Sequence, residues 1–444
     1  MDACLLRAIR IVVAADSDPI RQALFNNLRQ SRLPVRLAYG LHARLGGTRA
    51  AAWLVSCYGL LFYLTIAPPR RPGARVVAVA RHTNARRQVG RVAAWLGPGE
   101  CELVRSGPGT LAAPLRLLML VLSSSPRAFM KAFRIVHGVD RRHGFLVSSR
   151  VASAISWYAR GRTMLREQRP AAVLVSSDSN PEEVGFTAAA RALSISTVFV
   201  SHAYPTPCSP PLDFTLSILE GDAEVAARRR SGGLRGGVLL AGVEGESAPI
   251  DPTRFARPEP VIGIFTPKAV SWPTLAAIVA DCRSHFRARQ LVIRWHPSML
   301  EPPRLGHVLA DLAGIVESPG TASLADVARQ CDWVVADENS GVHLPVLKLG
   351  IPTIAVKSLG LYPRSRADLY GFARDGVVLP PVSTICEVRA EMVARFFSSE
   401  WAARFEQYDA AYLRSDADIG AQVRRAIGAL QAGAGSSPSL GGTD

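Results

Sequence analysis

The chain has 444 residues, of which 48% are hydrophobic and 20% charged, and its formal net charge is +16. This length exceeds what one ordinary core supports, so we expect two large domains of globular composition. Most of the charge lies in residues 1–170, which contain 27 Lys and Arg against 7 Asp and Glu, whereas residues 171–444 contain 25 against 29. Sequence signatures of DNA- or RNA-binding modules do not accompany this charge, so nucleic acid is disfavoured as a partner.

The first half of the chain contains two predicted strands, at 9–15 and 74–81. From residue 171 onward, β-rich runs alternate with helical patterns. Predicted strands lie at 171–177, 196–202, 214–219, 237–242, 261–266, 291–296, 314–318, 333–337, 352–356 and 376–380. Predicted helices lie at 271–289, 302–314, 323–330 and 341–350. This alternation is typical of parallel, doubly wound sheets.

The sequence therefore predicts an α/β protein in which two Rossmann-like doubly wound domains face each other across a cleft. The predicted parts are a first domain at 1–245, a Pro-rich linker at 246–260, a second domain at 261–385, C-terminal helices at 386–430 and a disordered tail at 431–444. No GxGxxG follows the first strand and no GxxxxGK[ST] is present, so a dinucleotide oxidoreductase and a P-loop enzyme are both disfavoured.

An apolar run at 50–67 raises the question of membrane contact. It has 18 uncharged residues between Arg49 and Arg70, which is at the short end for a spanning helix. A buried helix, an in-plane membrane contact and a true span all stay open. A shorter apolar run at 115–122 is predicted to be core.

Cysteine usage and the N-terminus predict a cytoplasmic location. The seven cysteines are scattered without a CxxC pair or a spacing typical of metal sites, as expected for reduced thiols. Asp2 and the acidic residues near 16–18 do not fit a secretory signal. The basic first part is either a solvated surface or a face for an anionic polysaccharide or phospholipid headgroups, which would place the protein peripherally on the inner face of the membrane.

Polar residues follow the predicted strands of the second domain where each strand ends. The run VIRWHPSML at 292–300 places His296 at the end of an apolar strand, and Pro297 stops that strand because it has no N–H to donate. Carboxyl ends of parallel strands share one edge of a sheet, where open α/β sheets bind ligands. A Ser-Gly pair opening helix 341–350 would leave backbone N–H groups free for an anion.

The residues at this edge suit the phosphates of a nucleotide. They are Thr266, Lys268, Arg294, His296, Asn339, Ser340 and Gly341. The alternative is that Asn339 or Ser340 is a plain helix N-cap. That alternative explains the serine, but it does not explain Lys, His and Ser together at neighbouring strand ends.

These motifs resemble the nucleotide-binding domain of GT-B glycosyltransferases. More narrowly, they are similar to bacterial transferases that build capsule and teichoic-acid polymers: capsular-polysaccharide Kdo transferases, CDP-glycerol glycerophosphotransferases and polysialyltransferases. His296-Pro297 matches the His-Pro pair of these families, and Ser340 with Gly350-Ile351-Pro352 matches their serine turn and helix end, although Gly341 replaces a second hydroxyl. His202, at a strand end of the first domain, matches a further family histidine. The resemblance covers about residues 170–385.

The resemblance implies an inverting, metal-independent glycosyltransferase. Retaining GT-B enzymes place a ribose-binding Glu where this chain has Pro345, and the paired Glu of the sugar-nucleotide 2-epimerases would fall on Leu344 and Pro345. The implied donor is a nucleotide sugar, with no cofactor beyond it, and the implied acceptor is a cell-surface polysaccharide or a lipid-linked molecule. A 2-epimerase-like enzyme and a non-catalytic partner of a capsule assembly complex are the alternatives.

Inverting transfer needs a base for the acceptor hydroxyl, and we expect it in the first domain, across the cleft from the donor phosphates. The candidates are Asp178, Glu182 and His202. Asp178 is equally well explained as a helix N-cap, and the resemblance favours His202. His343 is expected either to face the ligand or to lie on the surface.

Overall fold

The computed structural model describes residues 3–16, 48, 50, 74–104, 126–206, 209–297, 305, 313–361 and 368–434. A six-stranded sheet has the order β2-β1-β3-β4-β5-β6, and every adjacent pair in it is parallel. Its strands are β1 (Val76–Val79), β2 (Cys101–Leu103), β3 (Ala172–Val175), β4 (Ser196–Val200), β5 (Leu212–Leu219) and β6 (Leu234–Leu240).

A second sheet has five strands in the order β11-β10-β7-β8-β9, again all parallel. Its strands are β7 (Val261–Phe265), β8 (Gln290–Arg294), β9 (Ile315–Ser318), β10 (Trp333–Asp337) and β11 (Thr353–Val356). The predicted α/β class with two Rossmann-like, doubly wound domains is confirmed by these two strand orders.

The described helices flank both sheets. They are α1 (Ala3–Asp16), α2 (Thr83–Leu96), α3 (Pro126–Gln168), α4 (Pro181–Arg191), α5 (Asp222–Ser231), α6 (Trp272–Ser284), α7 (Leu324–Arg329), α8 (His343–Lys348), α9 (Ala390–Phe396), α10 (Ser399–Glu406) and α11 (Asp416–Ala434). Short 3₁₀ turns lie at Pro252–Ala256 and Ile385–Glu387.

The first sheet is buried on both faces, which is why β1 and β3 consist of Val, Ala and Leu alone. Residues of α1, α3 and α4 pack on one face, and residues of α2 and α11 pack on the other. A Cβ at Gly185 would lie 2.3 Å from the Ala154 carbonyl oxygen, so only glycine lets α4 approach α3 this closely. Helix α11 therefore completes the core of a sheet that lies far away in the sequence.

Two contacts join the sheets beside the cleft. The Lys348 ammonium is buried, donates to the Val243 carbonyl oxygen at 2.6 Å and lies 2.9 Å from Asp409 Oδ2. Tyr204, from the loop after β4, stacks on Tyr408 with ring centroids 5.3 Å apart and belongs to the hydrophobic core of the second sheet. The first contact holds the segment after β6 against the second domain, and the second holds the loop that carries His202 there.

Two predicted strands are wrong. Residues 9–15 belong to helix α1, because Ala8, Val12 and Ala15 recur at helical spacing and are buried together. Residues 376–380 form no strand, although Val377 and Val378 are buried in the core. The three-residue strand β2 was missed, because so short a run leaves no periodic signal.

Several predictions fall on residues that the structure does not describe. They include nearly all of the apolar run at 50–67, the run at 115–122, most of the predicted helix at 302–314, and the tail from 435 onward. Helix α11 continues to Ala434, past the predicted start of the tail at 431. Among the described residues, none of the helices has both the length and the apolar character needed to cross a membrane.

Candidate functional site

Each sheet has one position where the chain reverses its winding direction, and ligands of doubly wound proteins bind beside such a point at the carboxyl ends of the strands. In the first sheet the point lies between β1 and β3, and in the second between β7 and β10. The segments that follow these strands are 80–82, 176–180, 266–268 and 338–341.

Lys268 connects the two points electrostatically. Its exposed side chain follows β7, and its positive charge lowers the pKa of His82, which follows β1, and of His296, which follows β8. Lys268 therefore acts on histidines that follow strands of both sheets. This agrees with two Rossmann-like domains whose carboxyl edges face one cleft, as the sequence predicts.

His296 is the best-defined group on the second sheet's side. Burial lowers its pKa to about 3, with further lowering by Lys268 and Arg294. Its ring is therefore neutral at physiological pH and can donate one hydrogen bond without carrying a charge. Gly320 packs against the same turn: a Cβ there would lie 2.7 Å from Pro297 Cα, so glycine allows the loop after β9 to support the His-Pro pair.

Three of the predicted donor-binding residues are engaged in holding the strand ends together. Thr266 Oγ1 accepts from the His296 amide at 3.2 Å and donates to the Arg294 carbonyl oxygen at 3.3 Å. The buried Arg294 guanidinium donates to the Ala322 carbonyl oxygen at 3.0 Å. Asn339 Oδ1 accepts from the Leu369 amide at 2.7 Å. A direct contact of these three with a nucleotide stays a prediction.

The serine turn differs from the expected helix start. Helix α8 begins at His343 rather than at Gly341, has six residues, and lacks a side-chain cap. Ser340 Oγ accepts from the Val342 amide at 3.4 Å, and a Cβ on Gly341 would meet no atom within 4 Å. Ser340 and Gly341 thus form a turn that precedes α8, with open space in front of Gly341, and the predicted helix start at Gly341 is wrong by two residues. Binding of an anion at this turn stays a prediction.

His343 is neither a ligand-facing nor a surface residue. It is fully buried, and its two ring nitrogens hydrogen bond to Thr353 Oγ1 and to the Asp337 carbonyl oxygen, both at 3.0 Å. Burial lowers its pKa to about 4. The neutral ring links β10 to β11, so both expectations for this histidine are corrected.

On the first sheet's side, Asp178 forms an ion pair with the buried guanidinium of Arg228. It is not a helix N-cap, because Asn180 caps α4. Arg228 also lies 3.4 Å from Glu224 Oε1 and above the ring of Phe199. The carboxylate of Asp178 is therefore neutralised by a cation, which weakens its candidacy as a base.

His202 lies beside this ion pair. Burial lowers its pKa, while the charge of Asp178 and a hydrogen bond to the backbone of Ser176 raise it. Its Nδ1 atom is buried and has no hydrogen-bond partner among the described residues. His202 is therefore half-buried, with one ring nitrogen that no described residue hydrogen bonds.

The structure adds three site residues that the sequence did not suggest: His82, Asn180 and Glu183. Burial, Lys268 and Arg150 lower the pKa of His82, burial most of all, whereas its polar neighbours Asn180 and Glu182 raise it. Glu182 Oε1 lies 3.9 Å from Arg81 Nε. The sequence contained one signal for His82: like His296, it lies within three residues of the end of a buried strand.

Metal-ligating clusters are also relevant to this site. Among the residues that the structure describes, no group of three or more His, Cys, Asp or Glu side chains could hold a metal ion. Whether the reaction needs a metal stays open on this observation.

No protein-family profile matches the sequence, and a search of curated proteins finds no match. Several solved structures are similar in overall shape. One is S. aureus MnaA with UDP (11% identity, 83% of this chain, 99% of that chain, TM-score 0.47). Another is the calicheamicin glycosyltransferase CalG4 (12% identity, 82% of this chain, 99% of that chain, TM-score 0.47). A third is the UDP-N-acetylglucosamine 2-epimerase from Rickettsia bellii (12% identity, 81% of this chain, 96% of that chain, TM-score 0.43). At these identities and TM-scores, the activities of these proteins are no evidence for the activity of this chain. The strand orders of the two sheets alone define its fold.

Proposed function

We propose that this chain is an inverting, metal-independent glycosyltransferase of the GT-B type. It moves a sugar or sugar-like unit from a nucleotide-activated donor to a cell-surface polysaccharide or a lipid-linked acceptor. The observation that carries the proposal is that Ser340, Lys268 and His296 follow three neighbouring strands, β10, β7 and β8, at the winding reversal of the second sheet. A cation with a hydroxyl and a neutral histidine on neighbouring strand ends suits a phosphate leaving group.

The second domain holds the donor in this proposal. The Lys268 ammonium neutralises phosphate charge, and the neutral His296 ring and the Ser340 hydroxyl donate hydrogen bonds to phosphate oxygens. Ser340 and Lys268 follow adjacent strands, β10 and β7, and His296 follows β8, the next strand. Because neighbouring strands lie about 4.8 Å apart, one diphosphate can span all three. Arg294 supports this group from behind through its bonds to the loop after β9.

The first domain supplies the base. His82 is exposed beside the cleft, its lowered pKa keeps the ring neutral at physiological pH, and it can accept the proton of an acceptor hydroxyl. His202 is more enclosed and lies beside the Asp178–Arg228 ion pair. We therefore assign proton transfer to His82 and a supporting role to His202, with Glu182 stabilising the protonated His82.

The test is a thermal-shift panel of the full chain with CMP, CDP, UDP, GDP and their common activated sugars, repeated on His296→Ala. A ligand at 100 times its dissociation constant stabilises by about 2.7 kcal/mol. We expect one nucleotide class to stabilise the wild type and to have a weaker effect on the variant. His285→Ala, which removes an exposed histidine at the C-terminal end of α6, is the matched control.

Product analysis with the donor thus identified separates the alternatives. Turnover that requires an added acceptor supports transfer, whereas conversion of the donor without acceptor supports the 2-epimerase alternative. If no nucleotide shifts the melting temperature, the result contradicts the donor site and favours a non-catalytic partner of a capsule complex.

Flotation with anionic vesicles tests the proposed contact with the inner membrane surface, and failure to float contradicts it.

A further inference from the structure

The Ser340–Gly341 turn is held at one backbone oxygen, the carbonyl oxygen of Asp337 at the end of β10. This oxygen accepts from the Ser340 amide at 2.9 Å, and it lies 3.0 Å from Nε2 of the His343 ring. His343 is the first residue of α8, so the helix that follows the turn binds back to the strand that precedes it. The turn is thereby closed into a short loop whose two ends share one acceptor.

The side chain of Asp337 holds the same turn from a second direction. Its buried carboxylate accepts from the Asn339 amide at 3.0 Å and from the Gly360 amide at 2.6 Å. Gly360 lies in the segment after β11, so the carboxylate joins the turn to the end of the neighbouring strand. The Ser340 oxygen accepts from the Val342 amide at 3.4 Å, and its hydroxyl proton is available for donation.

The hydrogen bonds of His343 define its tautomer. A carbonyl oxygen can only accept, so Nε2 carries the ring proton and donates it to Asp337. Nδ1 then accepts from the hydroxyl of Thr353, a fully buried residue of β11, at 3.0 Å. Phe372 packs edge-on against the imidazole, with ring centroids 6.5 Å apart. The ring is a rigid link, because a rotation would break both hydrogen bonds in a buried environment.

We propose that His343 is a positioning residue for donor binding, which holds the Ser340–Gly341 turn through the Asp337 carbonyl oxygen. Thr353 selects the tautomer that this requires. The inference rests on the proposed function, in which the Ser340 hydroxyl donates to a phosphate oxygen of the donor. Because His343 is fully buried, it acts through the turn and not by contact with the donor.

Packing alone does not account for a histidine at this position. A leucine would fill a similar volume of the core without the free-energy cost of removing an imidazole from water. The imidazole instead supplies one donor and one acceptor on opposite sides of the ring, and both are used.

The first measurement is hydrogen exchange of the Ser340 amide in the full chain without ligand. His343→Leu removes both ring hydrogen bonds, whereas His343→Gln keeps a donor N–H and an acceptor oxygen at a similar separation. Relative to the amides of β7, we expect the Ser340 amide to exchange about 10-fold faster in His343→Leu and at nearly the wild-type rate in His343→Gln. Val279→Ala, which removes buried atoms of α6 in the same domain, is the matched control and should leave this ratio unchanged.

Histidine NMR measures the tautomer and keeps the test available if His343→Leu does not fold. His343→Gln assigns the resonance, and the wild type should show a ring protonated at Nε2. Thr353→Val removes the hydroxyl with little change in shape, so we expect it to mix the two tautomers. A wild-type ring protonated at Nδ1, or unchanged exchange of the Ser340 amide in His343→Leu, would overturn the proposal.

Donor affinity separates positioning from packing. With the nucleotide class found by thermal shift, calorimetric titrations of the wild type, Ser340→Ala, His343→Leu and the double variant form a cycle. We expect each single substitution to raise Kd about 10–100-fold, as for a lost hydrogen bond to a charged group. The double variant should bind about as weakly as Ser340→Ala alone, and His343→Gln should restore most of the affinity. Fully additive losses would show that His343 does not act through Ser340.

The two proposals fail in different ways. If no nucleotide binds the wild type, the proposed function is contradicted, while amide exchange and the tautomer still report on the turn. If a nucleotide binds His343→Leu as tightly as it binds the wild type, the donor site stands and the positioning role is wrong.

Discussion

The two carboxyl edges that face the cleft have the same geometry and different chemistry. At the first sheet, buried acids lie next to histidines, and burial raises the pKa of Glu183 to about 7. At the second sheet, Lys268 carries a fixed charge and His296, with a pKa of about 3, stays neutral. One edge is therefore suited to moving a proton near neutral pH and the other to holding an anion.

The comparison shows that a winding reversal in a doubly wound sheet sets the location of a ligand site, whereas it does not set the chemistry of that site. Side chains after β1 and β3 set the character of one edge, and those after β7, β8 and β10 set the character of the other. Four experiments would break or sharpen the comparison.

The largest effect is expected when His82 and His296 are substituted individually. His82→Gln should reduce kcat by about 10²–10⁴-fold with unchanged donor affinity, because it removes the base. His296→Gln should mainly raise the dissociation constant of the donor, because it removes a hydrogen bond to phosphate. Steady-state kinetics and calorimetric titration of the donor measure the two effects. If His202→Gln reduces kcat more than His82→Gln does, the assignment of the base is wrong.

The second effect concerns stability at the first edge. Arg228→Met leaves Asp178 and Glu224 without the cation that neutralises them, and removing one member of a buried ion cluster costs about 3–5 kcal/mol. Urea unfolding measures this loss. Arg229→Met, at an exposed position on the same helix, is the matched control and should change the unfolding free energy by less than about 0.5 kcal/mol. Equal losses in the two variants would contradict the buried cluster.

The third effect is a steric one at the second edge. Gly320→Ala places a Cβ against the backbone of His296 and Pro297, which should cost about 1–3 kcal/mol and weaken donor binding by displacing His296. Gly90→Ala is the control, because a Cβ there meets no atom within 4 Å. Thermal unfolding measures the stability of the two variants, and donor titration measures their affinity for the donor. Unchanged donor binding in a destabilised Gly320→Ala would show that His296 does not depend on this support.

The smallest effect is a change in titration. Lys268→Met removes the positive charge that lowers the pKa of both His82 and His296, so the pKa of each ring should rise. The sign follows because a nearby cation disfavours the protonated ring. Histidine NMR of Lys268→Met against Lys357→Met measures this rise. A rise at only one of the two rings would show that Lys268 does not act on histidines of both sheets.

The sequence predicted the fold through its apolar runs. Strands such as β3, β7 and β10 are buried on both faces, so they appear as continuous, mostly apolar runs that are followed by or end in polar residues. Residues 9–15 have a similar composition and form a helix, because composition alone does not separate a buried strand from a buried helix.

The sequence suggested a candidate site residue only where one short segment contained the whole pattern that points to it. His296 precedes a proline at a strand end, and both facts are visible locally. Arg81 and Glu183 are far apart in the chain and meet because β1 pairs with β3, with Val79 opposite Val175. No local pattern states which strands are neighbours, so the hydrogen bond from the Arg81 amide to Glu183 required the structure.

Helix α11 has a consequence for synthesis on the ribosome. Ile419 and Val423 complete the core around α2, and Trp95 Nε1 donates to Asp416 Oδ2 at 2.9 Å, so the first domain acquires this layer only after residues 416–434 have been translated. Domains usually fold in the order in which they emerge. Here all strands of the second sheet are translated before the layer that covers one face of the first sheet, and a nascent chain halted before residue 416 would expose the apolar face of α2.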